Sequence, residues 1–266
     1  MTTPTPTVTL LSAGAENSLE GSWPDRRFAS VSRAELWSFP VATPRAQALV
    51  YAGGGYTSLF VDKEGVEVAL WLNDLGITAH VLVHRLPGQP DGNGGTNPKD
   101  IALTDGLAAL APLPTDLPLI HVGLSSGGHM AGVMACQTSG HDIRGAVIGY
   151  APLNANHRLY KYPEGKPDYP PVEKQDFYDD WPIGLAGHPH AIPKVPLFLA
   201  YALTDTAVPV QHALRVIETA AALKLDVDAH IFGAAQHGFA LRPMAGTEAS
   251  WPTLAADWIN RRLSAD

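Results

Sequence analysis

Short runs of Val, Ile and Leu with little polar alternation recur along this chain, each parted from the next by a longer stretch of helical period. An unbroken apolar run suits a strand covered on both faces, because both sets of alternating side chains are then buried. Candidate strands are 34–39 (AELWSF), 47–52 (QALVYA), 77–84 (ITAHVLVH), 117–123 (LPLIHVG), 144–150 (RGAVIGY), 195–201 (VPLFLAY) and 227–232. Helical patterns fall at 64–75, 100–113, 127–136, 210–223 and 251–263. Gly76 stops the first, and Pro112 and Pro114 break the second. Strand–helix–strand repetition predicts an α/β fold, a mostly parallel sheet flanked by helices with right-handed crossovers. No linker interrupts it, so 1–266 reads as a single domain. Residues 1–30, which open on Thr and Pro, read as a loosely ordered segment. Residues 152–193 follow the strand ending near Tyr150, are rich in Pro, Tyr and Asp, and lack a clear period. A segment of that length predicts a functional insert or a lid over the site.

The sharpest local signal is Gly123-Leu124-Ser125-Ser126-Gly127, between a buried-type strand and a helical run. Strand, tight turn and helix are the context that makes G-x-S-x-G a nucleophile elbow. Ser125 is then held at the C-terminal edge of the sheet, beside a helix N-terminus. A hydroxyl needs a base, and the base needs an acid to orient it. His237, in AAQHGF after the last strand, is the candidate base. His80, His84, His121 and His230 lie within strands, and His129 reads as a packing or hydrogen-bonding group. His141, His188, His190 and His212 read as surface or loop residues, and His157 lies in the insert. Asp205 follows the strand 195–201 and is the candidate acid, with Asp179 and Asp180 as runners-up. The bland role for Asp205 is an N-cap of the helix beginning near residue 210. The order Ser…Asp…His is that of α/β hydrolases. Gly53-Gly54-Gly55 directly follows a strand, about 70 residues before the elbow, and can aim backbone amides at a developing oxyanion.

These segments resemble the hormone-sensitive-lipase-like group of α/β-hydrolase esterases, in particular acetyl-xylan esterases and related bacterial proteins often labelled xylanases. The similarity runs through AGGGY (52–56), KEG (63–65), VALWLNDLGITAHVLVHRLP (68–87) and GLSSGGHMAG (123–132). It continues in LTDTAVPV (203–210), QHGFALR (236–242) and SWPTLAADWINRRL (250–263). Ala52 stands where relatives carry His or Pro, and His84-Arg85 where Tyr-Arg is usual. The resemblance implies the α/β-hydrolase fold, no metal or organic cofactor, and an oxyanion hole from the amides of Gly54, Gly55 and Ser126. It also implies hydrolysis of short acyl esters, with acetyl groups on xylo-oligosaccharides or related carbohydrates as the leading expectation. A general carboxylesterase, a formamidase-like amidase and a non-catalytic binding member are the alternatives.

Within 160–181 stand Tyr160, Tyr162, Tyr169, Phe177, Tyr178 and Trp181, in a chain with only 6 Trp, 8 Tyr and 7 Phe. Aromatic faces with polar tips suit a sugar, so Tyr56, Tyr178 and Trp181 are candidate substrate contacts, and Asp176, Asp179 and Asp180 candidate partners for hydroxyls. The same rings could equally serve to pack the insert onto the sheet. With 18 basic against 26 acidic residues the net charge is −8, which disfavours nucleic acid as a partner. Cys136 stands alone, without a Cys/His cluster for zinc. No long apolar run predicts a membrane span, and MTTPTPTVTL has neither a basic nor a long apolar signal region. The expected partner is a small-molecule ester and the expected location cytoplasmic.

Overall fold

The computed structural model describes residues 3–264. Eight strands form one sheet: β1 (Thr7–Leu10), β2 (Glu35–Phe39), β3 (Ala46–Tyr51), β4 (Ile77–Val83), β5 (Leu119–Leu124), β6 (Ile143–Gly149), β7 (Leu197–Ala202) and β8 (Val227–Phe232). Their order is β1-β2-β4-β3-β5-β6-β7-β8. β1 and β2 run antiparallel to their neighbours, and every pairing from β4 to β8 is parallel. The α/β architecture expected from the sequence is the one observed. Parallel pairing sends the C-terminal ends of β3, β5, β6, β7 and β8 to one edge, where the loops that follow them meet.

The unbroken apolar runs are explained by two cores, one on each face. On one face Ala48, Val50, Val81, Val122, Val147 and Phe198 pack against α1 (Glu67–Asp74) and α6 (Trp251–Ser264). On the other, Leu49, Tyr51, Leu82, Leu119, Ile148 and Leu199 meet α2 (Ile101–Leu110), α3 (Ser126–Ala135), α4 (Val172–Asp180) and α5 (Gln211–Leu223). Successive residues of β3 thus serve opposite cores, leaving no polar position in the strand except Gln47. α1 begins later than its periodicity predicts, because Asp62–Val66 is a π-helical turn. Gly76 ends α1 at φ +74°, as expected of a left-handed stop. Among the described residues no helix is long and apolar enough to cross a membrane.

Two stretches carry more structure than the sequence suggested. Thr7–Leu10, in the segment expected to be loose, forms an edge strand whose four residues are all exposed. The insert contains α4 and is anchored at both ends. His212, expected at the surface, is buried, and its Nδ1 accepts the amides of Asn154 and Ala155 at 2.9 Å each. Asn154 Nδ2 donates to the carbonyls of Ile183 and His212. At the far end, His129 Nε2 donates to the Trp181 carbonyl at 2.8 Å. Its Nδ1 therefore accepts from the Tyr56 hydroxyl, at 2.9 Å, and the ring is held neutral.

Burial lowers the pKa of His80 and His129 to about 4 and that of His121 to about 3. The unfolded chain binds protons at these rings near pH 6.5, and the folded chain refuses them until about pH 4. Stability is therefore lost as pH falls from about 6.5 toward 4, by up to ~1.4 kcal/mol per pH unit for each ring. Urea midpoints measured at pH 7.5, 6.0 and 5.0 are expected to fall at each step below pH 6.5; a constant midpoint would contradict burial of these rings.

Candidate active site

The elbow between β5 and α3 is built by close approach. A Cβ on Gly127 would lie 2.0 Å from the Tyr51 carbonyl oxygen, and one on Gly123 would lie 2.0 Å from the Gly127 carbonyl oxygen. Helix α3 can begin there only without those side chains. The turn holds Ser125 at φ 54°, ψ −130°, a strained conformation for a residue with a side chain.

Ser125 Oγ lies 3.1 Å from His237 Nε2, and His237 Nδ1 lies 2.7 Å from Asp205 Oδ2. A carboxylate only accepts, so Nδ1 carries the proton and Nε2 is left to accept from the serine hydroxyl. Asp205 Oδ1 accepts the amides of Ala207 and Val208 at 2.8 Å each, and its side chain is fully buried. Those bonds form a local turn ahead of α5 and do not cap the helix, so one oxygen fixes the carboxylate while the other faces the imidazole. The three sequence-predicted residues thus come together from the ends of β5, β7 and β8. The runners-up do not: Asp179 pairs with Arg158 and Asp180 with Lys99.

Ser125 and His237 open onto a cavity of about 460 Å³, bordered by Gly54, Gly55 and Ser126 on one side and by Asn156, Tyr169, Lys174 and Tyr178 of the insert on the other. Gly54 and Ser126 line this cavity, and Ser126 opens α3, where a first-turn N–H has no partner within the helix. The Gly55 amide is committed otherwise: it donates to Ser126 Oγ at 2.8 Å and ties the glycine loop to the helix. Among the described residues no group of three or more His, Cys, Asp or Glu comes together as a metal site.

No family model matches the chain, and no curated protein matches it. Solved structures do. An acetyl ester-xyloside bifunctional hydrolase from Caldicellulosiruptor lactoaceticus matches at TM-score 0.63 and 21% identity, over 86% of this chain and 88% of that one. A sugar hydrolase from Lactococcus lactis matches at TM-score 0.65 and 20% identity, over 93% and 98%. A thermophilic esterase from Thermogutta terrifontis with butyrate bound matches at TM-score 0.67 and 15% identity, over 97% and 94%. The chain has the α/β-hydrolase fold.

Within that fold, two of the three proposed substrate contacts are displaced by packing. Tyr56 is 1% exposed and sits edge-on to Phe177 and Tyr178, with its hydroxyl spent on His129. Trp181 meets His190 edge-on and is not among the residues that line the cavity, whereas Tyr178 is. The aspartates expected to meet sugar hydroxyls are paired instead, Asp176 and Asp179 with Arg158 and Asp180 with Lys99.

Sequence reasoning missed Glu64. This buried carboxylate accepts the Gly53 amide on Oε2 at 2.9 Å and the Tyr150 hydroxyl on Oε1 at 3.0 Å. Tyr150 in turn accepts the Ala240 amide at 3.1 Å and packs edge-on against His237, ring centroids 5.1 Å apart. One carboxylate therefore links the glycine loop to the loop carrying His237. Burial pushes its pKa up, and the Tyr150 hydroxyl and the nearby His237 oppose that shift. The signal in the sequence was its place in KEG (63–65), one of the segments that carry the resemblance, after the glycines. Glu64→Ala leaves two buried donors without an acceptor, at roughly 1–3 kcal/mol per group. Denaturant unfolding is expected to show that loss, with Glu64→Gln, which keeps one accepting oxygen, falling between Ala and wild type.

Proposed function

We propose that this protein is a serine carboxylesterase that hydrolyses short acyl esters, acetyl groups on carbohydrate foremost, through an acyl-enzyme. The observation that carries the reading is the Ser125–His237–Asp205 relay, at 3.1 and 2.7 Å, facing a cavity lined by Gly54, Gly55 and Ser126. Ser125 Oγ attacks the acyl carbonyl while His237 Nε2 takes its proton, and Asp205 stabilises the imidazolium that forms. The Gly54 and Ser126 amides hold the oxyanion, and the Gly55 amide braces Ser126. His237 then gives the proton to the departing alcohol, and water, activated by the same imidazole, releases the acid.

The short-acyl and sugar readings draw on the resemblance and on neighbours of the same fold, which include an acetyl ester-xyloside hydrolase, a sugar hydrolase and a butyrate-bound esterase. The cavity volume falls in the range that holds small ligands. The insert supplies Tyr169 and Tyr178 as aromatic wall.

The test is acetate release from acetylated xylo-oligosaccharides beside 4-nitrophenyl acetate, butyrate and octanoate. Turnover is expected on the oligosaccharide and on acetate and butyrate, with octanoate slower. Ser125→Ala is expected to lower kcat on the order of 10³–10⁶-fold with folding intact. Near-wild-type turnover by Ser125→Ala would sink the mechanism. Hydrolysis of N-formylkynurenine faster than of any ester would move the chemistry to amides.

A further inference from the structure

Apart from Tyr169 and Tyr178, the ionisable side chains that border the cavity are Lys63, Glu64, Lys174 and His237. His237 faces Ser125 and Asp205, and Glu64 is spent on Gly53 and Tyr150. Lys63 lies near enough to Glu64 to act on its charge, whereas Lys174 forms no ion pair with any carboxylate among the described residues. Lys174 is the more telling, because it is only 8% exposed. Its ammonium stands over the Tyr169 ring, 5.3 Å from the centroid. Burying an ammonium without a counter-ion is costly, and burial accordingly lowers its pKa.

The insert has anions to spare and spends them elsewhere. Asp168 pairs with Arg158 and Lys161, Asp176 and Asp179 with Arg158, and Asp180 with Lys99. Lys166 also stands over Tyr169, 5.0 Å from the centroid, and Lys161 at 5.8 Å. On the insert's side of the cavity the lining is thus Lys174 with Tyr169 and Tyr178, a cation among aromatic rings. An uncharged sugar ester would leave Lys174 unpaired in the complex, with still less water around it.

Resting on the esterase reading above, we infer that the substrate is an ester bearing an anionic group, a carboxylate or a phosphate, which Lys174 pairs within the cavity beside Tyr169. An acetylated sugar acid fits this chemistry, and an acetylated sugar phosphate shares it. Hydrogen bonds to a charged partner correspond to about 10- to 100-fold in binding.

Three aryl acetates with one acyl group and one ring test this: 4-acetoxybenzoate, 4-acetoxyphenyl phosphate and the neutral 4-acetoxybenzamide. The quantity read is kcat/KM for each anion divided by that for the amide, compared between wild type and variant, so that leaving-group differences cancel. Lys174→Met is expected to lower this ratio at least tenfold for one or both anions, and which one falls identifies the group. Lys174→Arg is expected to keep most of the ratio, and Lys194→Met, far from the cavity, all of it. An unchanged ratio in Lys174→Met overturns the inference while Ser125-dependent hydrolysis of the amide leaves the esterase reading standing. No Ser125-dependent hydrolysis of any of the three overturns both.

Discussion

No side chain fits between Gly127 and the carbonyl of Tyr51, and the geometry of the site depends on that contact. It lets α3 start against the end of β3, one strand over from the β5 it follows. Ser125 is thereby forced to positive φ at the rim of the sheet, and Ser126 is brought against the glycine loop that leaves β3. Because β5, β7 and β8 run parallel, Asp205 and His237 arrive at the same rim without any long excursion of the chain. The reactive corner is a product of strand direction and of one tight backbone approach.

Buried charge holds that corner in register. Glu64 stands where a helix would ordinarily show a solvated face, and the π turn Asp62–Val66 carries it under the glycine loop. Its neighbour Asp62 is also buried and is matched by the Arg26 backbone amide and guanidinium. The start of α1 is thus pinned by two carboxylates that each have named partners, which is how a charged turn survives inside the structure.

Most strands were legible because each buries both faces, so composition alone marks them. The elbow, Asp205 and His237 were legible because each is a chemical residue type directly beyond an apolar run. What escaped has physical reasons too. β1 is exposed at all four positions, and its TVTL alternation is only four residues long and set among Thr and Pro. α4 buries Lys174 and Gln175 together with Phe177 and Tyr178, so polar and apolar residues share its inner side and no stripe forms. His212 hides in an amphipathic helix because its ring accepts backbone amides, a role that sequence spacing does not encode. Tyr56 was drawn toward the substrate by its place beside the glycines, yet it satisfies His129 inside the core.

The two anchor points of the insert lie on α3 and α5, through His129 and His212. Between them, residues 158–171 are held by ion pairs among themselves and with α4, and by a hydrogen bond from Arg215 of α5 to the Tyr160 carbonyl. This stretch reaches the cavity through Tyr169 and contributes nothing to the bonds that hold Asp205 or His237. The protein is therefore modular. Exchanges in that loop can reshape what the cavity admits while the Ser125–His237–Asp205 hydrogen bonds stay in place, so wall and relay can vary separately within one scaffold.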